Sequence, residues 1–525
     1  MELCHRIEGG VVTSVWRIRP LTVTHSLTLL VLAAVLARSA LAVMVPLTED
    51  EVYYQLWAQH LQTGYFDHPP MIAWWIRIGT MIAGDNRFGV RLLPIMSTAL
   101  TSLVIYQLIV ELGAVRATAL RGACWFQATF LVAFAGMLAT PDSPTVLFWA
   151  LTLMLTARAV RTGRLVSWIL AGATVGLALL SKYSALFLPL GMVIWAAADR
   201  SRRSLFARPG PWLAAAVASL IFSVNIAWNA QHDWMTFAKQ FGRAVPDDWQ
   251  PIEVLAFVFF QLVLLNPLIA WFAGRELSHQ LRGDPPADHS DRSLLIFTTV
   301  PFIIYLCLHA LHSQVQAHWT APLFPAFASL AALSASTDAR LTSKLQRRLA
   351  ALVVPTAIVL TGVLAVLVAR PQLVGAIPAL GLQAWPSFAR NVQSVAEAEG
   401  ASWVGTINYG TNAQLSLAGQ LHLPVMQLYQ RERYVGWHDA ADVPVSEPGL
   451  IVDLRRRVHS SDLELCFAHV TRIPDIRRPA GASDGVVYAA FIVETPLRPF
   501  QEIGCWDDVL PSSEDGHTGG ASLEN

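Results

Sequence analysis

Residues 48–80 read TEDEVYYQLWAQHLQTGYFDHPPMIAWWIRIGT and directly follow the first long apolar run of the chain. Within this stretch Tyr53, Leu56 and Trp57 recur at helical spacing, and aromatic side chains suit the headgroup layer of a membrane. We therefore expect two short helices at a membrane surface. Residues 64–70 lie between them as an irregular turn that neither helix can continue through. The acids and histidines of the stretch thus lie where a membrane helix has just emerged into water, as expected of an active site.

The composition of the whole chain indicates a membrane protein. Of its 525 residues, 54% are hydrophobic and 14% are charged, and the mean hydropathy is +0.45. A soluble protein of this size is less apolar. The formal net charge is zero at pH 7, so no overall electrostatic field favours nucleic acid as a partner.

Long apolar runs predict a polytopic helical fold. Residues 21–45 are long enough to span about 30 Å of hydrocarbon, which favours an uncleaved first helix over a signal peptide. Ten further runs are possible spans, namely residues 92–110, 122–139, 143–157, 165–180, 183–198, 211–228, 252–272, 294–311, 320–333 and 350–369. The sequence therefore predicts about eleven transmembrane helices.

Basic residues cluster in alternate connections between these runs, for example in residues 158–164, 200–208 and 340–348. The positive-inside rule assigns these connections to the cytoplasm. The intervening loops, which hold the chemically interesting residues, then face the outer side of the membrane, and so does a domain that follows an odd number of spans.

Beyond residue 370 the long apolar runs give way to alternating strand and helix patterns. We therefore divide the chain into a membrane domain, an outer domain and a tail. The predicted boundaries are 1–370 for the membrane domain, with an active-site loop at 46–91, 371–510 for a small α/β domain, and 511–525 for a disordered tail. In the α/β domain, residues 403–407 and 486–493 are predicted strands and 412–421 a predicted helix.

Two of the five cysteines, Cys466 and Cys505, lie in the outer domain. Because an oxidising compartment favours disulfides, we predict that these two pair.

Two interpretations apply to the acids at the start of the opening stretch. Thr48 and Glu51 have the spacing of a capping box, which is a structural role. Asp50 is not needed by that cap. A carboxylate at the membrane exit of a helix can act as the general base for an incoming hydroxyl, although an acid in a first helical turn also simply favours the helix dipole.

The acids of the two following outer loops, Asp67 and Asp142, can each be a helix cap or a ligand of substrate. Beside the first of them, His68 can donate to a phosphate when protonated, or hold a divalent metal ion jointly with Asp67 when neutral.

Two cations stand in apolar surroundings, where an unpaired charge costs about 3 kcal/mol or more. Lys182 lies between two spans and Arg38 lies in the outer third of the first span. Either side chain can snorkel to headgroups or bind a lipid phosphate, and we favour the phosphate.

Two late outer loops, 228–234 and 309–319, are rich in His, Gln, Asn and Trp. Such side chains suit sugar binding, because hydroxyls pair with planar polar groups and sugar faces stack on indoles. The same residues also occur in ordinary interfacial belts. His318 and Trp319 are the candidates we select from them for substrate binding.

Six short motifs follow one another along the chain as an ordered set. They are the Asp-Glu pair, Gly-Tyr-Phe-Asp-His-Pro-Pro, Thr-Pro-Asp-Ser-Pro, Leu-Ser-Lys-Tyr, Asn-Ala-Gln-His and His-Trp-Thr-Ala-Pro. This set resembles the bacterial family 39/83 glycosyltransferases, relatives of the protein O-mannosyltransferases and of the aminoarabinose transferase that modifies lipid A. The resemblance implies a GT-C fold in the bacterial inner membrane. It also implies inverting transfer of a sugar from a polyprenyl-phosphate donor to a lipid or cell-envelope glycan at the periplasmic face.

Carried over by position, the resemblance assigns roles to the selected residues. The predicted site comprises Asp50 as base with Glu51 beside it, Lys182, His68 and Arg38 for the donor phosphate, and Asp142, Tyr53, Tyr54, His318 and Trp319 for substrate. It further implies a divalent metal ion at Asp67, with a histidine such as His312 or His318.

The chain also departs from the aminoarabinose branch. Asp67-His68-Pro69-Pro70 replaces a Glu-Lys-Pro-Pro motif, and Tyr53 replaces an arginine. We therefore expect a different substrate. Two alternatives stay open at this point: a lipid or glycan transporter or flippase, and a surface-glycan ligase or polymerase. A transporter should show internal repeats and mid-membrane ionisable residues, and we find neither in the sequence.

Overall fold

The structure is a computed structural model that describes residues 2–8, 11–17, 22–242, 249–282, 292–336, 344–369, 384–435, 443–480 and 483–497. Its α-helices are α1 (Val23–Met44), α2 (Glu49–Gln59), α3 (Met71–Ala83), α4 (Arg87–Glu111), α5 (Arg116–Gln127), α6 (Phe130–Ala135), α7 (Asp142–Thr162), α8 (Leu165–Leu179), α9 (Phe187–Ala198), α10 (Pro209–Gln231), α11 (Met235–Gly242), α12 (Pro251–Leu264), α13 (Pro267–Leu281), α14 (Ser293–His309), α15 (Phe324–Ser336), α16 (Lys344–Ala369), α17 (Trp385–Ala398), α18 (Tyr409–Leu417) and α19 (Ser460–Leu463). Its strands are β1 (Glu2–Glu8), β2 (Val11–Arg17), β3 (Trp403–Thr406), β4 (Val425–Gln427), β5 (Gly449–Leu454), β6 (Phe467–Ala480) and β7 (Ser483–Pro496). Short 3-10 helices cover Tyr183–Leu186, Arg202–Ala207, Ala317–Leu323 and Arg431–Tyr434.

The predicted polytopic helical architecture is confirmed. In the described part of the chain five helices, α1, α4, α7, α10 and α16, are long and apolar enough to cross a membrane, and α12 with α13 makes a sixth if that bent pair is one span. The apolar helices α3, α8, α9 and α14 are shorter. Helix length alone therefore yields fewer spans than the eleven predicted.

Two runs predicted as continuous spans are broken helices. Residues 122–139 divide into α5 and α6, and residues 252–272 contain the junction of α12 and α13, which are bent by 107°. At the second break Asn266 has a φ of 72° and caps Leu268. Its side-chain amide also donates to the carbonyl of Ala128, at the first break, at 3.3 Å. One amide thus satisfies backbone groups that both breaks leave unpaired.

The two short helices predicted in residues 48–80 are present as α2 and α3. Thr48 and Glu51 form the complete capping box at the start of α2, as their spacing predicts. In the turn that follows, the ring of Tyr65 stacks on that of Trp57 with centroids 4.2 Å apart. The amide of Met71, at the start of α3, donates to the carbonyl of Leu180 at 3.0 Å. This bond ties the opening stretch to the end of α8.

The C-terminal part of the chain contains a five-stranded mixed sheet in the order β4-β3-β5-β7-β6. β3 pairs in parallel with β4 and β5, whereas β5, β7 and β6 are antiparallel. Alternate residues of each strand point to opposite faces, and both faces are covered: Ile451 packs with Trp403 and Phe491 on one side, and Leu450 packs with Phe388 of α17 on the other.

The sequence predictions for this region are partly met. The predicted strand 403–407 corresponds to β3, which ends one residue earlier, and the predicted strand 486–493 lies within β7. The predicted helix 412–421 overlaps α18, which begins and ends earlier in the chain and packs against α2. Sequence patterns missed α17, β5, β6 and the amino-terminal hairpin of β1 and β2. Cys466 is disulfide-bonded, but Cys505 lies outside the described residues, as does the tail from 511, so the pairing with Cys505 stays a prediction.

Candidate active site

A cavity of about 1040 Å³ lies where the opening stretch, the starts of α7 and α9, the outer segment before α15 and the C-terminal part of the chain meet. Nine of the residues selected from the sequence line it: Asp50, Tyr53, Tyr54, Asp67, His68, Asp142, Lys182, His318 and Trp319. The fold therefore brings together side chains from four separate parts of the sequence.

Asp50 enters the cavity from the first turn of α2. The hydroxyl of Tyr409 donates to its Oδ1 atom at 2.8 Å. In the described part of the chain its other oxygen, Oδ2, accepts no hydrogen bond. Burial raises the pKa of this carboxyl above its usual value, although the bond from Tyr409 and the charge of His318 act in the opposite direction. A carboxylate with one oxygen held and a raised pKa is suited to accept a proton.

Glu51, which was predicted to assist Asp50, does not line the cavity. It is completely buried and pairs with the equally buried Arg91, whose Nη2 lies 2.6 Å from Oε2. Thr48 and the amide of Ala139 also donate to its carboxylate. The capping-box interpretation of Glu51 is therefore the right one, because all its acceptor positions are directed away from the cavity and into the fold.

Asp67 is held by three side chains. Tyr53 donates to Oδ2 at 2.9 Å, Lys239 of α11 lies 3.0 Å from Oδ1, and Arg433 also donates to Oδ2. Burial alone would raise the pKa of Asp67, but Arg433, Lys239 and His68 together hold it far below its usual value. The carboxylate is thus ionised and fully paired.

Lys182 finds its partner inside the cavity rather than at the headgroups. Its Nζ donates to Oδ1 of Asp142 at 2.8 Å, and Nε2 of His318 lies 3.7 Å from Oδ2 of the same carboxylate. Burial lowers the pKa of His318, and Asp142 partly offsets this. An ammonium has three donors, so Lys182 can bind an anion while it stays paired.

Two selected residues lie elsewhere. Arg38 is buried in α1 and donates to the carbonyl of Val132, in α6, at 2.8 Å, and it does not line the cavity. His312 packs edge-on against Trp249 with centroids 5.2 Å apart and does not line the cavity.

The residues selected as metal ligands do not fit a metal ion. In the described ranges, no group of three or more His, Cys, Asp and Glu side chains is arranged to hold one. Asp67 contacts two cations, which would repel a divalent ion and occupy its lone pairs. We therefore derive no chemistry from a metal at Asp67 and His312.

One wall of the cavity is apolar. The side chains that form it are Leu179, Leu186, Phe187, Phe222, Phe237, Phe241 and Phe302. Several of them are in or next to α8, α10 and α14, which are apolar helices. A cavity with a polar end and a hydrocarbon-like wall suits an amphipathic ligand.

Sequence reasoning missed the contribution of the C-terminal part. Tyr409 and Arg433 contact Asp50 and Asp67 across 359 and 366 positions of sequence. Asn408, Gln427, Tyr429, Gln430, Arg456 and Arg457 also line the cavity. No motif of the sequence marks these residues; the only available signal is that Arg433 belongs to a short polar Arg-Glu-Arg-Tyr run.

Comparisons with known proteins agree with this architecture. A family profile described as dolichyl-phosphate-mannose-protein mannosyltransferase matches residues 67–228. The lipid A galacturonosyltransferase RgtD of Rhizobium johnstonii is 27% identical over 54% of this chain and 59% of its own length. The undecaprenyl phosphate-alpha-4-amino-4-deoxy-L-arabinose arabinosyl transferase of Erwinia tasmaniensis is 27% identical over 52% of this chain and 50% of its own length. The chain thus matches half to three-fifths of these relatives.

The structure is also similar to that of ArnT from Cupriavidus metallidurans bound to undecaprenyl phosphate. The TM-score is 0.56 at 14% identity, and the superposition covers 88% of this chain and 97% of that one. The apo form of that protein gives a TM-score of 0.53. At this identity the likeness establishes the fold, which is the GT-C membrane fold. The resemblance predicted from the motifs is confirmed by the family profile, the two relatives and the similar fold.

Proposed function

We propose that this protein is an inverting glycosyltransferase that moves a sugar from a polyprenyl-phosphate donor to a hydroxyl of a lipid or cell-envelope glycan. The observation that carries the proposal is the shared cavity of Asp50, His68 and Lys182, which places a carboxylate together with an ammonium and an imidazole. The relative named as a lipid A galacturonosyltransferase supports lipid A as the acceptor.

The chemistry follows from this placement. Oδ2 of Asp50 takes the proton of the acceptor hydroxyl while the oxygen attacks the anomeric carbon of the donor. The bond between that carbon and the phosphate oxygen breaks, and the phosphate leaves with the electron pair. Lys182 and His68 stabilise the charge that develops on it. Attack on the face opposite the phosphate inverts the anomeric centre.

The apolar wall accounts for the lipid part of the donor. Phe187, Phe222 and Phe302 are among the side chains that extend the cavity into the helical region. A polyprenyl chain lying against them would keep its phosphate near Lys182, at the end of α8. Binding energy from the chain would then position the sugar next to Asp50.

We further propose that the shorter apolar helices complete a membrane domain of about eleven spans. Helices below full length can traverse a bilayer in pairs or where other helices surround them. The alternation of basic connections supports a periplasmic cavity in a bacterial inner membrane. It also supports a periplasmic position for the C-terminal α/β region, with a domain boundary near residue 370.

The test is the Asp50→Asn variant, assayed as purified full-length protein with labelled undecaprenyl-phosphate aminoarabinose, polyprenyl-phosphate galacturonate or undecaprenyl-phosphate mannose, and lipid A as acceptor. We expect transfer to fall by about 10²–10⁴, because the amide cannot accept the proton. Parent turnover in this variant would contradict the role of Asp50. Vesicle uptake of donor without bond exchange in the parent protein would indicate a transporter instead.

The matched control is Asp85→Asn. Asp85 follows α3 and, like Asp50, accepts one side-chain hydrogen bond, from Gln55 at 2.7 Å. It does not line the large cavity. We expect this variant to keep the transfer rate of the parent protein.

A further inference from the structure

The contact between Asp50 and the C-terminal part of the chain is built from several fixed elements. Tyr409 is the first residue of α18, whose start is capped by Asn408 through bonds to the amides of Gly410 and Thr411. The cap fixes the direction in which the first side chain of the helix leaves the backbone. That direction leads to Asp50.

The ring of Tyr409 is held between two neighbours. Its centroid lies 4.8 Å from that of Tyr53, and the guanidinium of Arg433 lies 4.6 Å from the ring centre. Neither contact uses the hydroxyl. The ring is therefore kept in place independently of its hydrogen bond to Asp50.

The approach of α18 to α2 depends on a glycine. A Cβ atom at Gly410 would lie 2.6 Å from Oε2 and 3.0 Å from Cβ of Glu49. The carboxylate of Glu49 can rotate away, but its Cβ is fixed to the backbone of α2, so a branched residue at position 410 would force α18 away from α2. Gly410 thus permits the 2.8 Å distance between Tyr409 and Asp50.

We propose that Tyr409 is a positioning residue for the transfer reaction: its hydroxyl holds Oδ1 of Asp50 so that Oδ2 faces the acceptor. This inference rests on the proposed function, in which Asp50 is the base. It adds that the C-terminal part of the chain is a component of the active site, because the base is oriented by a residue of α18.

The same hydrogen bond affects the proton affinity of Asp50. A donor to the ionised form stabilises that form, and the bond from Tyr409 lowers the pKa that burial raises. The other ionisable groups near Asp50 are Glu49 and Tyr54 of α2, Asp67, His318 and Arg433. All of them are retained when only the hydroxyl of Tyr409 is removed.

The experiment compares the pH dependence of transfer in the parent protein and in Tyr409→Phe, with undecaprenyl-phosphate aminoarabinose or polyprenyl-phosphate galacturonate as donor and lipid A as acceptor. We expect kcat to fall about tenfold, since a hydrogen bond to a charged group is lost. The acidic limb of the kcat profile should move upward by about one pH unit, because Asp50 must be ionised to act. Donor KM should change little.

Two further variants separate orientation from general packing. Gly410→Val displaces α18 and should shift the acidic limb in the same direction. Tyr65→Phe removes a buried hydroxyl of the same aromatic cluster and should leave the limb unchanged. Among the residues that the structure describes, this hydroxyl bonds Gln62, Trp57 and His60 and not Asp50. A Tyr409→Phe profile that coincides with the parent overturns the inference. If Asp50→Asn itself keeps activity, the proposed function fails first, so the two failures are distinguishable.

Discussion

Asp50 and Glu51 are consecutive acids with opposite surroundings. Glu51 is fully buried, its carboxylate accepts bonds from Arg91, Thr48 and Ala139, and it does not line the large cavity. Asp50 accepts one bond, from Tyr409, and lines the large cavity. One residue along a helix turns a side chain by about 100°. The comparison teaches that pairing, rather than position in a motif, separates an acid that holds the fold from an acid available for chemistry.

The largest effect should come from the buried pair. Glu51→Gln leaves Arg91 as an uncompensated buried charge, which costs about 3–5 kcal/mol of folding free energy. We expect a strongly lowered unfolding temperature in detergent, with transfer activity following the folded fraction. The measurement is intrinsic fluorescence during heating.

A suitable control for that variant is Glu111→Gln. Glu111 is likewise a buried acid, but it pairs with two arginines, Arg158 and Arg161, whose side chains are 38% and 58% exposed. Water can therefore solvate the arginines left behind, and the loss should be smaller. Equal losses in the two variants would mean that burial of the arginine is not what makes Glu51 structural.

The next effect concerns the cavity. Lys182→Met removes the cation that we assign to the departing phosphate, and kcat should fall by about 10²–10³. Single-turnover transfer with saturating labelled donor measures this step apart from donor binding. Lys182→Arg keeps the charge and should retain part of the rate. A parental single-turnover rate in the methionine variant would remove Lys182 from the reaction.

The smallest effect should come from the cap itself. Thr48→Ala removes the hydroxyl that accepts from the amide of Glu51 at 3.2 Å and donates to its carboxylate. Loss of a helix cap costs about 1 kcal/mol, so the unfolding temperature should decrease slightly. Transfer by the folded protein should stay within about twofold of the parent, because Asp50 keeps its bond to Tyr409. A large loss of turnover would show that the cap also orients Asp50.

Sequence patterns predicted the positions of the long apolar helices better than the breaks within them. The runs of apolar residues located α1, α4, α7 and α10, since length and hydropathy are what a bilayer requires. The break at Asn266 was missed because the run around it stays apolar while a single side chain takes over the backbone bonding. Hydropathy does not detect a position at which a side-chain hydrogen bond replaces a backbone hydrogen bond of the helix.

Within the site, the free-energy cost of a buried unpaired charge predicted the surroundings of one cation but not of the other. An unpaired lysine in apolar surroundings needs a partner, and the structure supplies Asp142 for Lys182. The same reasoning applied to Arg38 could not distinguish a phosphate from the backbone carbonyl of Val132. The roles of Tyr409 and Arg433 could not be predicted, because a contact between residues hundreds of positions apart produces no local sequence pattern.

The bond between Tyr409 and Asp50 also bears on how the protein is made. The two residues are separated by 359 positions, so the ribosome completes nearly all the apolar helices before the tyrosine is added. A nascent chain would therefore contain Asp50, the proposed base, long before Tyr409 is present to orient it. The growing polypeptide would thus stay inactive during synthesis until α18 has packed against α2.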